Sequence, residues 1–155
     1  MTVYVPITVA AAQQLRAAGE ARDLVGYAAG PGLRRWVGEA RLDEEEASYI
    51  ALNHAGVAAL LLDDSAPRLV LAVDQEVAGD DELGAVSVPL AAWTEVRSLF
   101  ADEGSAAGAV AAARTAVAGL DLAAALTVPA VQELQDAYDL LWFAPEELDA
   151  LAVGG

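Results

Sequence analysis

His54 is the only histidine in the chain, and it lies in the segment EEEASYIALNHAG. A histidine that transfers protons needs a carboxylate or a nucleophile within reach, and on a helix such partners stand three or four residues away. The residues at those positions are Ile50, Ala51, Val57 and Ala58. A di-iron Glu-x-x-His pattern is also absent, because Ala51 occupies the glutamate position. We therefore predict a structural or surface histidine, with a catalytic partner from a distant part of the sequence as the alternative.

Acidic residues occur in pairs and runs. Paired carboxylates are the catalytic groups of glycosidases and the ligands of hard metal ions such as Ca²⁺ and Mg²⁺. These groups are Asp43–Glu46, Asp63-Asp64, Asp80-Asp81, Asp102-Glu103 and Glu146-Glu147. Each group falls at a predicted helix start, helix end or turn, where capping, turn chemistry and solubility account for it. We predict no catalytic site and no metal site among them.

The stretch GYAAGPGLRRW (Gly26–Trp36) contains the candidate binding site. A strand leads into glycines and then into a helix start, a geometry that can present backbone N–H groups to an anion. The candidate residues for a phosphate or carboxylate are Gly30, Gly32, Arg34 and Arg35. Their spacing matches neither G-x-G-x-x-G nor a P-loop. The alternative is a tight turn whose arginines form ion pairs with the acidic surface.

The three tryptophans, Trp36, Trp93 and Trp142, are candidate interface residues. Trp142 and Phe143 are neighbours in a predicted strand, so their side chains point to opposite faces. We expect both to be buried between layers. In the alternative, one belongs to the core and the other anchors an interface.

Composition excludes several classes of function. The chain has 155 residues and a net charge of −16, which repels nucleic acid and anionic membranes. Its eight basic residues are all arginine and cysteine is absent, which excludes lysine Schiff bases, disulfides and thiolate chemistry. We therefore expect no cofactor, no metal, no nucleic-acid partner and no membrane partner. The N-terminal segment lacks a basic region followed by an apolar stretch, so we also expect no signal peptide and a cytoplasmic protein.

The elements that must position these residues follow from apolar patterning and from helix-end signals. Predicted strands are Val3–Thr8, Leu24–Gly30, Arg68–Asp74, Ala85–Leu90 and Glu95–Ala101. Predicted helices are Val9–Ala18, 31–37, 44–62 and Glu103–Leu120. The closing DLLWFAPEELDAL is either one helix, which Pro145 opposes, or a buried strand LLWFA followed by a helix that starts at Pro145. We favour the second.

These elements predict one α/β (mixed α+β) domain over residues 1–155, without a linker. It would contain a five- to six-stranded mixed sheet packed by about four helices. The early strand–helix–strand order predicts some parallel pairing with a right-handed crossover.

Laid out in this way, the chain resembles a small family from high-GC Gram-positive bacteria, known only as a domain of unknown function. The resemblance rests on VYVPIT, on EEEASYIALNHAGVAALLLDD followed by APRLVLAVDQEV, and on YDLLWFAPEELDAL. In relatives a histidine often precedes the closing Leu-Leu-Trp, where this chain has Tyr138-Asp139, so that histidine is not essential here. The resemblance implies no activity, cofactor or catalytic residue.

Three functions remain open. The first is a non-enzymatic protein that acts by protein–protein contact, as a homodimer or with a basic partner. The second is a small anionic-ligand binding protein, or a weak enzyme, that uses the turn from Gly30 to Arg35. The third is an acidic nucleic-acid mimic, which needs a continuous row of carboxylates that caps and turns would scatter.

Overall fold

The structure is a computed structural model that describes residues 1–38, 42–62, 67–77 and 80–153. The predicted acidic pair Asp63-Asp64 lies outside the described residues. Six strands form one sheet. They are β1 (Thr2–Pro6), β2 (Glu20–Tyr27), β3 (Leu69–Asp74), β4 (Ala85–Ala92), β5 (Val96–Ala101) and β6 (Leu141–Phe143). Their order across the sheet is β4-β2-β1-β3-β5-β6.

All pairs of neighbouring strands in the described sheet are antiparallel. The predicted α/β domain is confirmed, but the predicted mixed sheet with a parallel crossover is wrong. β1 and β2 are direct neighbours that run in opposite directions, with Tyr4 opposite Tyr27. A helix lies between the two strands and β2 starts directly after Gly19, but the returning strand runs antiparallel to β1.

Seven α-helices lie in the described ranges, where we expected about four. They are α1 (Val9–Ala18), α2 (Pro31–Val37), α3 (Glu44–Leu60), α4 (Ala107–Val117), α5 (Leu122–Ala125), α6 (Pro129–Ala137) and α7 (Leu148–Val153). Of the helices in the described part of the chain, none is long and apolar enough to cross a membrane.

Local end signals mark both ends of α1 and the start of α3, as predicted, whereas α3 ends at Leu60 rather than at residue 62. Thr8 caps α1 by accepting a hydrogen bond from the Ala11 N–H at 3.1 Å. Gly19 ends α1 in the left-handed conformation, with φ of 86°. Asp43 caps α3 by accepting from the Glu46 N–H at 2.8 Å.

The preferred interpretation of the C-terminal segment, a strand followed by a helix, is right in its order, but the strand is largely exposed rather than buried and α7 begins at Leu148 rather than at Pro145. β6 is followed by a short 3₁₀ turn, Pro145–Glu147, which leads into α7. The Glu147 carboxylate accepts from the Ala144 N–H at 2.7 Å and so fixes this turn.

Helices cover the sheet on both faces and create two core clusters. The first core cluster packs β-strand residues such as Val5, Leu71 and Leu99 against Leu15 of α1 and Leu148 of α7. The second core cluster joins Val70 of β3 to residues of α3, α4 and α6 on the other face, including Val57, Leu60, Val110 and Leu134. β3 is buried on both sides, which explains its continuous apolar run.

The β2–β4 ribbon curls away from β1. β2 and β4 pair from Glu20–Ala92 to Tyr27–Ala85, whereas β1 and β2 share one paired position. The far end of the ribbon meets the end of β3, because Gln75 Nε2 donates to the Leu90 carbonyl at 3.1 Å. Gly26 lies in this ribbon, where the backbone presses on the side chains of Val3 and Val5.

Gly26→Ala should lower the free energy of unfolding by about 1–3 kcal/mol, measured by urea denaturation. Its new Cβ would collide with Val3 Cγ1 and lie 3.2 Å from Val5 Cγ2. Gly108→Ala in α4 is the matched control, because nothing lies within 4 Å of that Cβ and alanine favours helix. Equal losses in both variants would contradict this account of the ribbon.

Candidate functional site

Arg68 and Asp102 form a buried ion pair at one end of the central strands. Arg68 Nη2 donates to Asp102 Oδ1 at 2.6 Å, and the Arg68 backbone N–H donates to Oδ2 at 2.9 Å. The two side chains are 3% and 1% exposed. Arg68 immediately precedes β3 and Asp102 immediately follows β5, where Leu69 pairs with Ala101. The pair therefore fixes the register of these strands.

The same guanidinium reaches the segment that leads into β6. Arg68 Nη2 lies 3.5 Å from the Tyr138 carbonyl. A Cβ on Gly56 of α3 would stand 3.5 Å from Arg68 Nη1 and 3.1 Å from Leu140 Cδ1. Gly56 thus provides the room in which α3, Arg68 and Leu140 meet.

The assignment of the Asp102-Glu103 pair to turn chemistry is wrong for Asp102. Its oxygens bind a guanidinium and a backbone N–H from 34 residues away, and the residue is buried. The sequence did contain a signal for this buried pair. Arg68 directly precedes one apolar strand, and Asp102 directly follows another. The two charges neutralise each other, so the pair can hold β3 and β5 together without leaving a buried charge unpaired.

Asp102→Asn should lower the free energy of unfolding by about 3–5 kcal/mol, because it leaves the Arg68 charge buried without its partner. Asp74→Asn is the control, since Asp74 pairs with Arg97 on the surface at 3.2 Å and its loss should change little. The double variant Arg68→Met/Asp102→Leu should recover most of the loss. Urea denaturation checks all three, and an Asp102→Asn variant as stable as Asp74→Asn would refute the role of the pair.

His54 is buried in α3 beneath Trp36. Its Nδ1 lies 2.9 Å from the Leu83 carbonyl oxygen, which can only accept, so Nδ1 carries the hydrogen. The ring of Trp36 meets it edge-on, with centroids 4.9 Å apart. Burial lowers the pKa of His54, against the opposing effects of the Leu83 hydrogen bond and the Asp81 charge. This is the geometry of a neutral structural histidine that ties α2, α3 and the 80–84 turn together.

The lowered pKa of His54 predicts a pH-dependent stability. In the unfolded chain His54 binds a proton near its ordinary pKa of 6.5, whereas in the folded chain it stays neutral to lower pH. The contribution of buried neutral His54 to the free energy of unfolding is therefore present above that pH and is lost as the pH falls. The loss is at most about 1.4 kcal/mol per pH unit. Urea denaturation from about pH 7.5 to about pH 5.5 should show a steeper decline for the wild type than for His54→Gln. Parallel pH profiles would contradict this.

The candidate anion site at the start of α2 already holds a carboxylate of the protein. Asp80 Oδ2 accepts a hydrogen bond from the Gly32 N–H at 2.8 Å. Side chains at Gly30 or Gly32 would collide with the Asp80–Asp81 segment, which explains the two glycines. The adjoining cavity, between Met1, Val77 and Asp80, has about 50 Å³, which is space for a few waters.

The two arginines of that candidate site point to different uses. Arg34 donates to the Leu42 carbonyl at 2.6 Å and to Glu44 at 2.8 Å, so it braces α2 against the start of α3. Arg35 is exposed and has no ion pair with any residue of the described ranges. Anion binding by Gly30, Gly32, Arg34 and Arg35 stays a prediction, and it would require displacement of Asp80.

The carboxylate of Asp81 accepts hydrogen bonds from backbone N–H groups. Asp81 Oδ1 accepts from the N–H groups of Leu83 and Ala85, which closes the turn before β4. Within the described ranges, no three His, Asp or Glu side chains are grouped so that they could hold a metal ion.

The tryptophans differ in their surroundings. Trp93 is half-buried against the first core cluster, Trp36 is 46% exposed and Trp142 is 62% exposed. Phe143 packs against the first core cluster. The expectation that Trp142 and Phe143 are both buried is therefore wrong, and the alternative with one core residue and one exposed residue fits. The reason is position, since β6 is the last strand of the sheet.

We call Leu141 and Trp142 the β6 edge. Both side chains are exposed, and the strand pairs on one side alone, with Trp142 opposite Phe100 and Leu141 opposite Ala101. No basic residue follows Arg114 in the sequence. Seven exposed acidic residues do: Asp121, Glu133, Asp136, Asp139, Glu146, Glu147 and Asp149. Of these, Asp139 and Glu146 lie within three residues of β6 in the sequence, and Asp149 pairs with Arg16 at 2.7 Å.

Comparison with known proteins places these features in a family. A family of unknown function (DUF6912) has a model that matches residues 1–152. No curated protein and no solved structure matches this chain.

Proposed function

We propose that this chain, which belongs to the family of unknown function DUF6912, is a non-enzymatic cytoplasmic protein that binds another protein at the β6 edge. The observation that carries this proposal is Trp142, an indole that is 62% exposed on an end strand. Tryptophan is among the residues that most often dominate binding energy at protein interfaces.

The surroundings of Trp142 support binding rather than packing within the chain. A tryptophan buries about 150–250 Å² when it is covered, so leaving it in water forgoes a large apolar contribution. The strand that carries it is the last of the sheet in the described part of the chain, and the outer backbone groups of an end strand are a template for another chain.

Two buried groups that could take part in acid–base chemistry, His54 and Asp102, each hold a structural contact. Nδ1 of His54 is bonded to the Leu83 carbonyl, and Asp102 is neutralised by Arg68. These contacts favour a binding role over an enzymatic one.

The other functions have weaker support. Anion binding at Gly30–Arg35 competes with the Asp80 carboxylate. A nucleic-acid mimic needs carboxylates in a row, whereas Asp43, Asp81 and Glu147 each cap a separate helix or turn. A homodimer would bring together two chains of charge −16, which repel each other. A basic protein partner meets no such cost.

Trp142→Ala should reduce capture of the partner about tenfold or more. The measurement is affinity capture with tagged protein from a lysate of its source, which we expect to be a high-GC Gram-positive bacterium. Trp36→Ala is the control, because it removes an indole from another exposed position; it also removes the ring contact with His54, so its folding is checked first. Melting curves of both variants verify that they fold.

Undiminished capture by Trp142→Ala would refute binding at the β6 edge. Loss of capture with Trp36→Ala alone would move the interface to α2. Light scattering on the pure protein, run beside the capture, separates a homodimer from a complex with another protein.

A further inference from the structure

We infer that the partner presents an extended basic segment, which pairs with β6 as an added strand with an apolar residue against Trp142. This inference rests on the proposed function and adds the mode of binding and the chemistry of the partner.

The two ends of the sheet are not equally open to another strand. The β4 end contains Pro89, which has no N–H to donate, and its Leu90 carbonyl already accepts from Gln75. The β6 end reads Leu-Trp-Phe, without a proline or a charge. Edge strands are protected by prolines, by charges or by being very short. β6 has the last of these protections alone, with three residues, so it is the more open of the two ends to an added strand.

Strand geometry explains why the segment must be extended. In an antiparallel pair, backbone N–H and C=O groups alternate between the partner strand and the outer side. β6 uses one side for β5, with partners Leu99, Phe100 and Ala101. Its outward groups can bond an added strand, and a side chain of that strand directly opposite Trp142 would lie about 4.5–5.5 Å away. Because three residues offer few hydrogen bonds, the indole must supply much of the contact.

Acidic residues near β6 favour a partner segment with basic residues. Exposed Asp139 and Glu103 lie close in sequence to the paired residues Leu141 and Ala101, and Glu146 follows the other end of β6. The Asp139 carboxylate accepts from the Tyr49 hydroxyl at 2.9 Å, which holds it in place. Arg97 of β5 is the nearby charge of opposite sign, and Asp74 pairs with it at 3.2 Å. Acidic flanks therefore favour arginine or lysine on both sides of an apolar centre.

The same charges disfavour a second copy of this chain. Two β6 edges in contact would bring their acidic flanks together, and like charges at an interface oppose association. The selected occupant is therefore a different protein.

The test uses display of random peptides of about nine residues, selected on the wild type, on Trp142→Ala and on Trp36→Ala. We expect sequences with basic residues around an apolar centre to be enriched on the wild type and on Trp36→Ala but not on Trp142→Ala. Their Kd should rise roughly tenfold or more when NaCl increases from about 0.05 M to about 0.5 M, because the charges are exposed.

Backbone pairing is tested with two N-methylated versions of a selected peptide, methylated on alternate residues. One version removes the N–H groups that face β6 and should lose binding, while the other should keep it. Equal tolerance of both versions, or a peptide that binds as a helix, would overturn strand addition.

Enrichment of acidic or neutral peptides, or no enrichment that depends on Trp142, would overturn the basic partner. If lysate capture still depends on Trp142 in those cases, the proposed function stands and the inferred mode of binding fails. If capture is also independent of Trp142, both fail.

Discussion

A buried ion pair between Arg68 and Asp102 fixes the part of the sheet on which the rest of the structure depends. It locks the start of β3 to the end of β5 and reaches the Tyr138 carbonyl ahead of β6. A lone charge in that position would cost several kcal/mol, so neither partner can be lost alone. The position of β6, and with it the exposure of Trp142, follows from this anchor and from the contact of Leu140 with α3.

The helices cover the central strands of the sheet more completely than they cover its two ends. Helices close both faces of the central strands, and β3 is buried from Leu69 to Val73. At the β4 end, the ribbon curls until Gln75 reaches Leu90. At the β6 end, a three-residue strand carries an exposed indole in an acidic setting. Structure and charge thus distinguish the β6 end of the sheet from the β4 end. This difference is the basis for assigning a binding role to the β6 edge.

Local signals allowed much of the fold to be predicted from the sequence. Thr8, Gly19, Asp43 and Pro145 mark helix ends by contacts within a few residues, and the structure confirms each. α5 and α6 were missed although Asp121 and Pro129 carry comparable signals, with Asp121 accepting from the Ala124 N–H at 2.9 Å.

Features set by distant contacts could not be predicted in this way. Asp102 finds its partner 34 residues away, and Asp80 reaches Gly32 across 48 residues. The direction of β2 and the exposure of Trp142 likewise depend on which strands are neighbours, and strand order leaves no trace in local pattern.

The most direct test of the β6 edge as a protein-binding surface is photo-crosslinking inside the cell, with benzoylphenylalanine in place of the exposed Leu141, which leaves Trp142 intact. The account predicts a crosslink to a basic protein from position 141 and none from the same probe at position 36. A crosslink that joins two copies of this chain, or no crosslink from position 141, would contradict it.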